Sequence, residues 1–212
     1  DIENGIARVR YEVGDVVYTR EVFSSAVDQV LVVRISSSKP GALSMGAELT
    51  SPLPSKQMYE GQNRLLVSGA WSGDGKVRGL QTDLKGQGLR FEGCLEVKTD
   101  KGTIRQDSNK ILIDGADGVT LIFAAATSFV NYHDISAEPA SRWRPQMTSA
   151  GRKSYQELLR AHKEDHAGYM NRVVLELEPG NVGALKEAGK AVPASCIAPK
   201  DAMKLPTDER IE

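Results

Sequence analysis

Val119 to Ala126, VTLIFAAA, constrains this chain more than any other stretch. The run is too short to span a bilayer and has no polar side to turn toward water, so it reads as a strand buried on both faces. That makes it a central strand. Asp114, Gly115, Asp117 and Gly118 precede it as a turn, where Asp can bond its own backbone and Gly can take positive φ. Ser128, Asn131, Tyr132, His133 and Asp134 follow it as a polar and aromatic loop where the strand reaches the surface.

Upstream, the pattern is that of short strands. Ala7, Val9, Tyr11 and Val13 alternate with Arg8, Arg10 and Glu12, the period of a strand with one buried face. Gly14-Asp15 then turns the chain into Val16 to Phe23, giving a hairpin over 6 to 23. Gln29 to Ile35 is a third strand. Lys39-Pro40-Gly41 turns it into a fourth, where Leu43, Met45, Ala47 and Leu49 alternate with polar or small residues. Ser51 to Asn63 carries two prolines and reads as a connection, Arg64 to Trp71 as a strand, and Ser72 to Gly88 as a Gly-rich charged loop. Leu89 to Val97 alternates again, placing Cys94 on its polar side, and shorter strands at Thr103 to Gln106 and Lys110 to Ile113 lead to the central one. Successive short strands with turn signals predict a mainly β fold, an antiparallel β-sandwich.

After Ile135 the character changes. Ala137 to Met147 holds two prolines and reads as a linker crossing a surface. Ser154 stands three residues before Glu157, a capping-box spacing. Tyr155, Leu158, Leu159 and His162 continue at helical spacing and predict a helix near 153 to 171. Val173 to Leu177 is a possible strand, and Thr207 or Asp208 can cap a further helix.

Composition narrows the functional classes. The 27 basic and 28 acidic side chains nearly cancel and are interspersed, so nucleic acid and anionic membrane are not expected partners. No apolar run approaches the roughly 20 residues of a transmembrane helix. Cys94 and Cys196 lie far apart with no CxxC spacing, and read as free thiols.

Local chemistry is sparse. His162 and His166 share a helix face, but the zinc-protease pattern needs Glu directly after the first His and Lys163 stands there; two helix histidines are the plainer reading. Tyr132, His133 and Asp134, with Asn131, can line a sugar pocket, or can be a loop satisfying its own backbone. Trp71 and Trp143 are stacking platforms or packing residues. The nucleotide, P-loop, GxSxG and HExxH patterns are missing.

Several stretches together resemble glycoside hydrolase family 95, the α-L-fucosidases with some α-L-galactosidase relatives. They are Val17 to Ser25 (VYTREVFSS), Asp28-Gln29-Val30, Leu49-Thr50-Ser51-Pro52, Asp114 to Asp117, Ala124 to Phe129 with Asn131-Tyr132, Ser154-Tyr155 with His162, and Leu205 to Arg210 (LPTDER). The resemblance implies a sandwich incomplete at its N-terminus over 1–136, a helical linker over 137–204, and at 205–212 the start of an (α/α) barrel that is otherwise absent. The implied protein is an exo-acting, inverting enzyme that removes terminal α-L-fucose from glycans without a cofactor. Its catalytic residues lie in the barrel, so none falls on this chain; Tyr132, His133 and Asp134 remain the candidate substrate-binding residues. A fucosylated glycan and the remainder of the polypeptide are the implied partners, and a secreted or periplasmic bacterial location is implied too. A non-catalytic carbohydrate-binding or scaffold sandwich is the alternative, as is an α-L-galactosidase of the same family.

Overall fold

A computed structural model describes residues 1–71 and 88–172. Positions 72–87, the expected strand at 173–177, the capping residues Thr207 and Asp208, Cys196 and the 205–212 segment lie outside the described residues. The chain divides into two compact units, Asp1–Met170 and Asn171–Glu212; the first holds every element below.

Among the described residues, ten strands and two helices follow in order: β1 (Ala7–Val13), β2 (Val16–Ser25), β3 (Val30–Ser37), β4 (Leu43–Glu48), β5 (Ser55–Glu60), β6 (Arg64–Trp71), β7 (Leu89–Asp100), β8 (Thr103–Asp107), β9 (Lys110–Ala116), β10 (Gly118–Thr127), α1 (Pro139–Gly151) and α2 (Tyr155–Met170). Seven strands form one sheet in the order β1-β2-β3-β10-β7-β6-β5, and β4-β9-β8 form a second. All pairings are antiparallel. The fold is therefore the expected sandwich with a helical extension.

β10 sits in the middle of the large sheet, between β3 and β7, as its apolar run requires. Its two faces meet different neighbours. Val119 joins Ile35, Leu65, Leu95, Val97, Ile111 and Ile113 in the core between the sheets. Ile122 and Ala124 point the other way, into a core with Phe23, Val32, Leu66 and Cys94 roofed by Trp143, Met147 and Leu158 of the helices. Removing both faces from water is what lets a strand dispense with polar alternation.

The helical roof changes several expectations. Residues 139–151 form helix α1 rather than a surface linker. Pro139 occupies its first turn, where a missing N–H costs nothing, and Pro145 lies on the exposed side. Pro139, Trp143, Met147 and Ala150 form the buried stripe, so packing outweighs the interior proline. Cys94 is fully buried under this roof instead of lying on a solvated face. Beside it, Glu96 is buried against Arg64 at 2.7 Å.

Three further expectations are corrected. Asp114 and Gly115 belong to β9, so the turn into β10 is reduced to Asp117, whose carboxylate accepts the Gly41 N–H at 2.6 Å. Within 51–63 lies β5, hidden by its polar sequence because it is an edge strand paired only to β6. β1 has no buried face at all: all seven residues are exposed. The hairpin itself forms as expected, with Val13 opposite Val16 across Gly14-Asp15. Tyr18 of β2, half-buried, packs against the inter-sheet core.

Helix α2 begins as the Ser154/Glu157 spacing predicts. The Ser154 N–H donates to Glu157 Oε2 at 2.7 Å, and the Glu157 N–H donates to Ser154 Oγ at 3.3 Å. Leu158 and His162 are its buried residues.

Candidate functional site

The register of β6, β7 and β10 gathers several chemistry-bearing residues at one end of the large sheet. Thr127 pairs with Phe91 and Phe91 with Gly69, while Trp71 pairs with Leu89 two residues further out. The loop after β10 starts at this end and is pinned at its base. Buried Ser128 donates its N–H to the Arg90 carbonyl at 2.9 Å and accepts the Arg90 N–H on its hydroxyl at 3.0 Å. Arg142 of α1 supports the loop from below, donating to the carbonyls of Thr127 and Phe129 at 3.1 and 2.6 Å.

Held this way, the loop turns its apolar side chains outward. Phe129 and Val130 are exposed, and Tyr132 is 85% exposed with its ring centroid 3.7 Å from that of His133. The polar groups beside it are engaged locally. Asn131 Oδ1 accepts the His133 N–H at 2.9 Å and Asp134 Oδ1 accepts the Ser136 N–H at 2.8 Å. The Ser136 hydroxyl and N–H together hold the Asp134 carboxyl below its ordinary range. The structure thus brings Tyr132, His133 and Asp134 into one surface turn whose Asn131 and Asp134 side chains bond its own backbone and whose Tyr132 ring, packed against His133, is largely exposed.

Two clefts adjoin this end. One, of about 660 Å³, lies between the start of α1 and strands β5 to β7, bordered by Lys56, Ser68, Arg90, Glu92 and Glu138. Arg90 bridges it, paired with Glu138 at 3.1 Å and donating to the Ala137 carbonyl at 2.9 Å. The other, of about 300 Å³, is apolar and opens between the sheets, lined by Leu49, Pro52, Val67, Phe91 and Phe123. Gly69, on the border of the larger cleft, must be glycine, because a Cβ there would run into the Pro54 backbone carbonyl oxygen and lie 2.7 Å from Phe91 Cζ.

The arrangement offers aromatic faces, hydroxyls and ion pairs, the means of holding a sugar or a neighbouring domain. Burial pushes the Cys94 thiol up to about 12, away from the thiolate form a nucleophile needs. Among the described residues no three His, Cys, Asp or Glu side chains converge as a metal site. The histidine pair serves structure. His162, 7% exposed, donates from Nε2 toward the carbonyls of Asn4 and Gly5 at 3.1 Å, and His166 Nε2 lies 2.9 Å from the Ile2 carbonyl. Trp143 is fully buried as a packing residue, while Trp71 is exposed at the loop end. Arg90, Phe91 and Glu138 escaped notice in the sequence; the Glu138-Pro139 pair, an acidic residue before a first-turn proline, was the available signal for the helix start beside them.

By its fold this is an antiparallel β-sandwich domain buttressed on one face by helices. Residues 1–132 match the family model of glycosyl hydrolase family 65, N-terminal domain, and the chain belongs to that family. Over 196 residues it is 30% identical to Alpha-L-fucosidase 2 of Arabidopsis thaliana, an alignment covering 84% of this chain and 23% of the relative. A solved structure named "Putative kojibiose phosphorylase from human microbiome" is similar at a TM-score of 0.49 and 9% identity, covering 78% of this chain and 23% of that one. The chain thus spans 23% of the length of each.

Proposed function

We propose that this chain is the supporting β-sandwich and helical linker of an exo-acting, inverting α-L-fucosidase of glycoside hydrolase family 95 type. The observation that carries the reading is the 30% identity to Alpha-L-fucosidase 2 across 84% of the chain. The family assignment of residues 1–132 to a glycosyl hydrolase N-terminal domain supports it.

In this reading the chemistry belongs to a helical barrel outside the chain. A carboxylic acid there protonates the leaving oxygen while a second carboxylate activates water on the opposite sugar face. Such acid–base chemistry calls on no organic cofactor. The sandwich supplies a stiff platform, and the turn at Tyr132, His133 and Asp134 meets the fucosylated glycan or the barrel rim. Secretion or a periplasmic location accompanies the proposal, since extracellular glycans are the implied substrates.

A second reading, a non-catalytic carbohydrate-binding sandwich, is favoured by the exposed rings of Trp71, Phe129 and Tyr132 at one end of the sheet. Paired aryl α-L-fucoside and α-L-galactoside substrates given to the intact protein separate these outcomes. Turnover of the fucoside is expected. Preference for the galactoside would change the substrate, and no turnover of either, with retained glycan binding, would replace the enzyme reading with the binding one.

A further inference from the structure

Two lysines meet the elbow between α1 and α2 from opposite directions. Lys98 of β7 reaches up from the sheet and donates from Nζ to the carbonyls of Gly151 at 3.1 Å and Lys153 at 2.7 Å. Lys153 reaches down, its own Nζ donating to Asp28 Oδ1 at 2.6 Å, and the almost fully buried Asp28 takes the Ser25 hydroxyl on its other oxygen. Lys153 is thus gripped twice, by its carbonyl from β7 and by its side chain from the connection between β2 and β3.

Helix α1 depends on this arrangement. Its last turn holds no basic residue, and its N-cap Glu138 makes no side-chain cap bond. The cation that its C-terminal carbonyls call for comes instead from the sheet, as Lys98. Gly151 lets the helix end come down that far, since a Cβ there would lie 2.8 Å from Glu96 Oε2, a carboxylate already held by Arg64. Beyond the elbow, Ser154 and Glu157 cap α2. Trp143, Met147 and Ala150 of α1 and Leu158 of α2 close over one core, with Cys94 fully buried in it.

We infer that this clasp makes α1 and α2 a single opening unit, a roof that lifts from the large sheet as a whole or stays shut. Helix α1 leaves only by pulling its end carbonyls off Lys98, and that displaces the backbone from which Lys153 reaches Asp28. Lifting the start of α2 strains the same residue from the other side. Motion at either helix is therefore passed to the other through Lys153. The inference is independent of the catalytic reading.

Native-state hydrogen exchange of the intact protein in low urea tests it. In the parent, the slowest amides of α1 and of α2 are expected to share one opening constant with one urea dependence, distinct from that of β10. Lys98→Met keeps the aliphatic stem but withdraws both donors, and the α1 amides should then exchange about tenfold faster than those of α2. The double variant Asp28→Asn with Lys153→Met removes the other grip without leaving a buried charge unpaired, and should separate the two helices as well. Ser154→Ala touches α2 with the clasp intact, so it should speed both helices by the same factor. Alkylation of Cys94, read on its own peptide, should follow the common opening in the parent. Different opening constants for the two helices in the parent, a constant shared with β10, or a common constant that survives both clasp variants would overturn the inference.

Discussion

The indole Nε1 of Trp143 donates a 3.0 Å hydrogen bond to the Glu92 carboxylate, fastening helix α1 to β7 through a side chain that is itself fully buried. Trp143→Ala should destabilise the domain by about 3–5 kcal/mol, the cost of a large cavity. Trp143→Phe fills most of that volume but withdraws the donor from Glu92, and should cost about 1–3 kcal/mol. Denaturant unfolding of both variants checks the order; equal and small effects would mean that α1 is not anchored here.

A second link joins the segment before α2 to the start of β3. Lys153 Nζ lies 2.6 Å from Asp28 Oδ1, and Asp28 also accepts the Ser25 hydroxyl at 3.1 Å while almost fully buried. Lys153→Met leaves that carboxylate without its cation. The expected loss is about 2–3 kcal/mol, below the 3–5 of a fully buried pair because Lys153 is partly in water. Adding Asp28→Asn should recover part of it in a double-mutant cycle.

The capping box makes a smaller prediction. Ser154 Oγ accepts the Glu157 N–H, and Ser154→Ala should cost about 1 kcal/mol, read as a lowered melting temperature. Ser154→Asp should restore most of the loss.

Acid stability should report on Glu21. Burial pulls its carboxyl upward, but the hydrogen bonds from Tyr155 and Arg8, aided by the charges of Arg8 and Lys163, bring it below its ordinary value of 4.5. A depressed folded value means stabilisation that is present above the unfolded value and lost as pH falls through the folded one. Tyr155→Phe, which deletes the 2.6 Å bond to Glu21, should therefore be most destabilising near neutral pH. Its difference from the parent should shrink below about pH 4.5; a constant difference would contradict the assignment.

Legibility in the sequence followed the locality of each signal. The apolar run of β10, the alternation of β4 and the Ser154/Glu157 spacing are local, and each produced the element expected. β5 and α1 were hidden because Lys56 and Gln57 read as loop and Pro145 as a break, and only pairing with β6 and packing under Trp143 override those preferences. The burial of Cys94 and Glu96 depends on what lies above their strand face, which alternation does not encode. At the candidate site, the loop of Tyr132, His133 and Asp134 was readable as polar and aromatic. Its placement at the same sheet end as Trp71, Arg90 and Glu138 was not, because that is created by the Thr127–Phe91 and Trp71–Leu89 registers.

The most direct test of the proposed role is to follow the released sugar by proton NMR when the intact protein acts on an aryl α-L-fucoside. β-L-Fucose appearing first, before mutarotation, is the result expected of an inverting α-L-fucosidase that contains this domain. Initial release of α-L-fucose, or no release of fucose, would contradict it.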